Sequence, residues 1–199
     1  MENNISTNKN ISTIQLSSKA LSINDLNKFW PKHLAPETYQ WVVANITHGD
    51  ISELALNITA TSDPHSPLQF DTLKSSGRFN FTNLETHFLK PSPPIKKMHG
   101  LAHFSDTSLD IRIKKGVIDD ISVDGSLIEI NQNNIGKYQI GVNLIAKGPV
   151  QAIRKLLENK SLGINENINS IPNDITGDTD LWANFSIPLD KFSPNKEIQ

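Results

Sequence analysis

The sequence predicts a mainly β fold, a largely antiparallel sheet carrying two short amphipathic helices. Three observations point there. Apolar and polar residues alternate with period two in segment after segment between Leu54 and Ile187. Helical spacing replaces that alternation in two short stretches, residues 36–46 and 149–157. Glycine, proline, asparagine and aspartate gather between the segments, where turns require them.

The elements follow in order. Residues 11–23 alternate loosely through Ile14, Leu16 and Ala20 and read as a strand. Asn24 or Asp25 suits the cap of a short turn running to Phe29, which Pro31 stops. Pro36 fits the first turn of a helix. Tyr39, Val42, Val43 and Ile46 then repeat at helical spacing, with Gly49 expected to end the run. Beyond it, Leu54, Leu56, Ile58 and Ala60 alternate with Ala55, Asn57 and Thr59 as in a half-buried strand. Residues 62–67 are a loop by composition. Phe79 and Phe81 oppose Asn80 and Thr82, and Leu109, Ile111 and Ile113 oppose Asp110, Arg112 and Lys114. Ile121 and Val123 are followed by Ile128 and Ile130 in the other parity, so a bulge or bend is expected at Gly125. Tyr138, Ile140, Val142, Leu144 and Ala146 form the cleanest alternation. After Gly148, Pro149 opens a second helix whose stripe is Val150, Ile153, Leu156 and Leu157, with Arg154, Lys155 and Glu158 outside it. A last strand carries Leu181, Ala183, Phe185 and Ile187 before Pro188. Seven or eight strands with one apolar face need a cover, either a second layer or a ligand, and periodicity does not distinguish the two.

Composition narrows the function. The 199 residues suffice for one domain or two small ones, and 37% hydrophobic with 20% charged residues is the balance of a folded segment. A net charge of −2 gives no general electrostatic footprint for nucleic acid. With no cysteine there is no disulfide, thiolate metal site or cysteine nucleophile. No stretch approaches the ~20 apolar residues that span a bilayer, and residues 1–10 lack the apolar core of a signal peptide.

Candidate chemistry is sparse. His99 and His103 are four apart, but Gly100 and the surrounding alternation oppose a helix, and no third ligand follows. Asp174, Asp178 and Asp180 lack calcium-loop spacing and read as a solvated turn. Ser6 with Lys9 and Ser193 with Lys196 fit a serine–lysine spacing by chance, in polar termini without partner motifs. Pro91 and Pro94 suit a rigid connection between strands better than a polyproline ligand. Lys96-Lys97 and Lys114-Lys115 are pairs that reach anionic headgroups or are simply exposed. The expectation is a protein without catalytic residues, metal or cofactor.

Several phrases in fixed order carry a resemblance. These are Trp30-Pro31, Pro36, Trp41 and Gly49; Gly77, Phe79 and Phe81; Pro93-Pro94-Ile95 with Gly100; then Gly116, Gly148-Pro149 and Pro188-Leu189. Together, over residues 20–190, they resemble the YhdP-like, AsmA-like family of bacterial envelope proteins, related to TamB. The resemblance implies a curved sheet forming an open groove that shields phospholipid acyl chains between membranes. It implies an N-terminal strand or linker over 1–20, a groove segment over 21–190 and a polar tail over 191–199. It also implies a longer parent chain, with further repeats or an inner-membrane anchor, at the periplasmic face of the inner membrane. The groove would be lined by Phe79, Phe81, Leu109, Ile111, Ile113, Tyr138, Ile140, Val142 and Leu144. Trp30, Pro31, Trp41, Gly49, Pro93, Pro94, Gly100, Gly148 and Pro149 would maintain the fold. At ~4.8 Å per strand, eight strands advance ~38 Å, enough to shelter a lipid but not to join two membranes. The alternative is a closed β-sandwich that binds a protein partner, and the aromatic residues named here serve equally well as its core.

Overall fold

The computed structural model describes residues 9–25, 28, 36–66, 69–87, 93–132, 137–158 and 174–188. They build one antiparallel sheet of nine strands, against the seven or eight expected. The strands are β1 (Asn10–Ser22), β2 (Ile46–Ser62), β3 (Phe70–Thr86), β4 (Ile95–Ser105), β5 (Ser108–Ile118), β6 (Ile121–Ser122), β7 (Leu127–Gln132), β8 (Tyr138–Pro149) and β9 (Asp178–Pro188). Helix α1 (Pro36–Asn45) precedes β2, and α2 (Val150–Leu157) joins β8 to β9. A 3-10 turn over Ile23–Asp25 follows β1. Phe29, Trp30, Pro31 and Leu189 lie outside the described residues.

The sheet is a meander in which all paired strands are antiparallel. Strands β6 and β7 share one row between β5 and β8. Strands β1 and β9 are the two edges. The boundary expected at residue 20 falls inside β1, which pairs with β2 from Asn10 to Ser22.

Register gathers the alternating residues onto one face. A single row crosses the sheet through Leu16, Leu56, Gly77, Phe104, Leu109, Ile130 and Ile140 to Ile187. The next row links Phe79, Ala102, Ile111, Ile128, Val142 and Phe185. The buried members of these rows form the core, together with Ile153 and Leu157 of α2. Helix α2 is therefore held by its apolar stripe, as its spacing predicts.

A line of bulges crosses the strands. Glu53 in β2, Asn83 in β3 and Lys97 in β4 are each one extra residue against the neighbouring strand, and all three adopt left-handed backbone, with φ of 51°, 50° and 52°. Strand β5 carries an extra residue at Lys114, where His99 faces Lys115 but Gly100 faces Ile113. The row shared by β6 and β7 breaks at Asp124-Gly125, with Gly125 at φ 86°. A bulge flips the parity of a strand, so each strand keeps its apolar residues on the same face on both sides of the line. Thus Ile51 and Ile58 are both buried, as are Phe81 and Leu84. Only the Gly125 flip was legible as such in the sequence. Around it the Val123 N–H donates to the Gly116 carbonyl (2.9 Å) and the Gly125 N–H to the Ile113 carbonyl (2.8 Å). The buried Ser126 hydroxyl accepts from the Ile145 N–H (3.0 Å) and donates to the Ile145 carbonyl (3.2 Å), replacing ladder bonds that the bulge interrupts.

Two local expectations are corrected. Gly49 does not end α1; the helix stops at Asn45 and Gly49 lies within β2. Pairing decides this, because Ile46 is opposite Thr86 and the Asn45 carbonyl accepts the His87 N–H at 2.8 Å. Gly49 is needed there for another reason: it has φ 141°, and a Cβ would lie 2.8 Å from Leu84 Cα. Val43 is exposed rather than part of the buried stripe, and Val42 alone of the expected set is buried in α1.

Candidate functional site

The best candidate for a working surface is the apolar face itself. Its central part is solid core. Phe81, Leu109, Ile111, Ile113, Ile140, Val142 and Leu144 are all buried by the protein, and Phe79 and Tyr138 pack half-buried against them. Ile140 and Val123 are 0% exposed. The structure therefore brings all nine expected groove residues onto one face, and seven of them have little surface left to offer a ligand.

Two cross-strand pairs tighten this region. Phe81 faces Gly100 and Phe104 faces Gly77, so each ring lies over a residue without a side chain. A Cβ on Gly100 would meet the Arg112 carbonyl oxygen at 2.1 Å and Phe81 Cζ at 2.6 Å. One on Gly77 would meet Phe104 Cζ at 2.5 Å. The Phe79 and Phe104 rings are tilted against each other with centroids 6.3 Å apart.

At the end of the sheet away from α2, polar groups close the rim. The Tyr138 hydroxyl donates to the Asp106 carbonyl at 3.2 Å. The Asp106 carboxylate accepts from the Ser75 hydroxyl at 3.1 Å and from the Ser75 N–H. One residue of the β4–β5 turn thus ties β3 to β8 and fixes the Tyr138 ring on the apolar face.

The same face is open at its other side. Ile14 and Leu16 of β1 are 52% and 53% exposed, and Leu73 of β3 is 38% exposed. Between them on β2, Leu54 and Leu56 are half-buried and Ile58 and Ala60 are buried, so the exposed apolar surface is concentrated on β1 and at Leu73. Sequence alternation shows each of these residues on one side of its own strand. It does not show that the face they share lacks a cover, because that depends on which elements pack over it.

Of the remaining expected positions, Pro93 and Pro94 lead into β4 and connect adjacent antiparallel strands. Trp41 belongs to α1. Gly148 and Pro149 end β8; a Cβ on Gly148 would stand 2.7 Å from the Asp120 carbonyl oxygen, and Pro149 is the N-cap of α2. His99 and His103 lie on one strand, ~13 Å apart at strand rise, too far to share an ion. Among the described residues no three His, Cys, Asp or Glu side chains gather as a metal site. No helix among them is long and apolar enough to cross a membrane. Compared with known proteins, the chain matches no family model, no curated protein and no solved structure.

Proposed function

We propose that this chain is a non-enzymatic lipid-handling segment, in which the apolar face shelters phospholipid acyl chains. The observation that supports it is the continuity of that face from the buried core to the exposed Ile14, Leu16 and Leu73. An acyl chain leaving water for such a surface gains ~0.8 kcal/mol per CH₂, with no covalent chemistry required. The headgroup stays in solvent, so the segment takes many headgroups and one kind of tail. Lipid enters at β1–β3, where the face is open, rather than among the packed residues of β5–β8. The resemblance to AsmA-like envelope proteins fits this role and assigns the segment to inner-to-outer membrane lipid transport, at the periplasmic face of the inner membrane and within a longer chain.

The test is mass spectrometry of lipids extracted from the purified protein and from a Leu16→Asp/Leu56→Asp variant. Near-stoichiometric phospholipid, lost in the variant while the fold is retained, is the expected result. Folded wild-type protein without phospholipid overturns it. That outcome favours a second reading, a closed β domain that binds a protein partner, which the burial of Leu109, Ile111, Ile113, Ile140, Val142 and Leu144 across β5–β8 supports.

A further inference from the structure

We propose that the opposite, outer face of the sheet docks on an anionic phospholipid membrane. Lys96-Lys97 and Lys114-Lys115 are separated by 16 residues in the chain, and strand pairing brings them together. Lys96 faces Val117, and His99 faces Lys115. The bulges raise the density of charge. In a regular strand one of two consecutive lysines would point inward; at Lys97 and Lys114 the extra residue lets both members of each pair remain exposed. The row continues from Val117 to Ser122, Lys147 and Asp180. Next to it, Ile145 faces Trp182 on the edge strand β9, and that indole is 66% exposed.

Three carboxylates of this face have partners, while Asp110 and Glu129 lie opposite each other farther along the same strands. Asp124 accepts the Gly116 N–H at 2.9 Å, Asp180 holds Lys147 at 3.1 Å, and Glu85 lies 4.0 Å from His87 Nε2. Asp119 and Asp120 sit beyond Val117 in the β5–β6 turn. No described carboxylate forms an ion pair with Lys96, Lys97, Lys114 or Lys115. Lysines of this kind near a charged bilayer are worth ~1 kcal/mol each, and an exposed tryptophan settles at the headgroup level. The surface is a broad, exposed strand face on which Arg112 adds to the lysines, and the exposed indole at its margin suits the headgroup level of a bilayer. The proposal does not depend on the acyl-chain reading, because the two surfaces are opposite faces of the same strands.

Co-sedimentation of the whole chain with vesicles tests it, using phosphatidylcholine alone and a 7:3 mixture with phosphatidylglycerol. The wild-type protein is expected to partition onto the mixed vesicles and to leave them as salt shortens the ~8 Å screening length of physiological buffer. The Lys96→Gln/Lys97→Gln/Lys114→Gln/Lys115→Gln variant should lose about a hundredfold or more, given ~1 kcal/mol per lysine. Trp182→Ala should lose severalfold, and a Lys19→Gln/Lys74→Gln control should lose nothing. The two lysine pairs are also changed separately, so that the result survives poor folding of the fourfold variant. Equal partition onto the two vesicle types overturns the proposal, as does wild-type partition by the lysine variants. Binding to a DNA duplex but not to vesicles does so too. The Leu16→Asp/Leu56→Asp variant must still sediment with the mixed vesicles; if it does not, attachment runs through the apolar face and the outer surface is not the docking site.

Discussion

The β1–β2 edge and the β5–β8 region carry the same apolar face and differ in what covers it. In β5–β8, alternate residues meet neighbouring strands that are equally apolar, and α2 adds Ile153 and Leu157. In β1, the partners across the strand pair are apolar too, Leu16 on Leu56 and Ile14 on Ile58, yet Ile14 and Leu16 keep over half of their surface. Pairing within a sheet satisfies backbone hydrogen bonds along both regions. It removes apolar surface from water only where something also lies over the face. Exposed apolar surface is therefore concentrated at the β1 edge and at Leu73, while Ile51, Ile58 and Ala60 of β2 remain enclosed. The sequence pattern of the two regions is nearly the same, so a strand's amphipathicity alone does not tell core from binding surface.

Substitutions sharpen this contrast. The largest effect belongs to Ile140→Asp, which buries an unpaired charge at a fully enclosed position; it is expected to cost more than ~4 kcal/mol and to unfold the protein in urea titrations. A stable Ile140→Asp protein would show that the enclosed region is not the core. Gly100→Val comes next. The atom it meets is a backbone carbonyl, which cannot swing aside as a flexible side chain would, so a loss of about 3 kcal/mol or more is expected by the same titration. Leu16→Asp at the open edge should change stability by less than ~1 kcal/mol. If Leu16→Asp unfolds the chain, the open edge is covered in solution and the comparison fails. The bulge line gives a test by the difference between two variants at one position. Lys97→Gly is expected to be neutral or stabilising by up to ~1 kcal/mol, whereas Lys97→Val should cost ~1–2 kcal/mol, because only the valine is strained at φ 52°. Equal thermal midpoints for these two variants would remove the left-handed backbone from the account.

Much of the fold could be read from residue order. The alternations at Leu109–Ile113 and Tyr138–Ala146 give strands with the expected faces buried, and the stripe Val150–Leu157 gives α2. The parity change between Val123 and Ile128 locates a bulge at Gly125 because glycine marks it. The bulges at Glu53, Asn83 and Lys97 carry no glycine. Their signal is a spacing of three between apolar residues of one face, Ile51 to Leu54, Phe81 to Leu84 and Ile95 to Met98, which by itself also fits a helix or a loop. Gly49 carries a related ambiguity, since a glycine after a helical stretch serves a cap or a strand equally well, and only the contact with Leu84 distinguishes them.

What the sequence alone determined was the class of the protein and the side of each strand that turns from water, because both follow from a local period of two and the scarcity of helical spacing. The tertiary structure decided which of those apolar residues are core and which are exposed, and it assembled the two lysine pairs into one patch. Those outcomes depend on strand register, bulge position and the placement of α2. All three are set by contacts between residues far apart in the chain, and a local pattern carries no record of them.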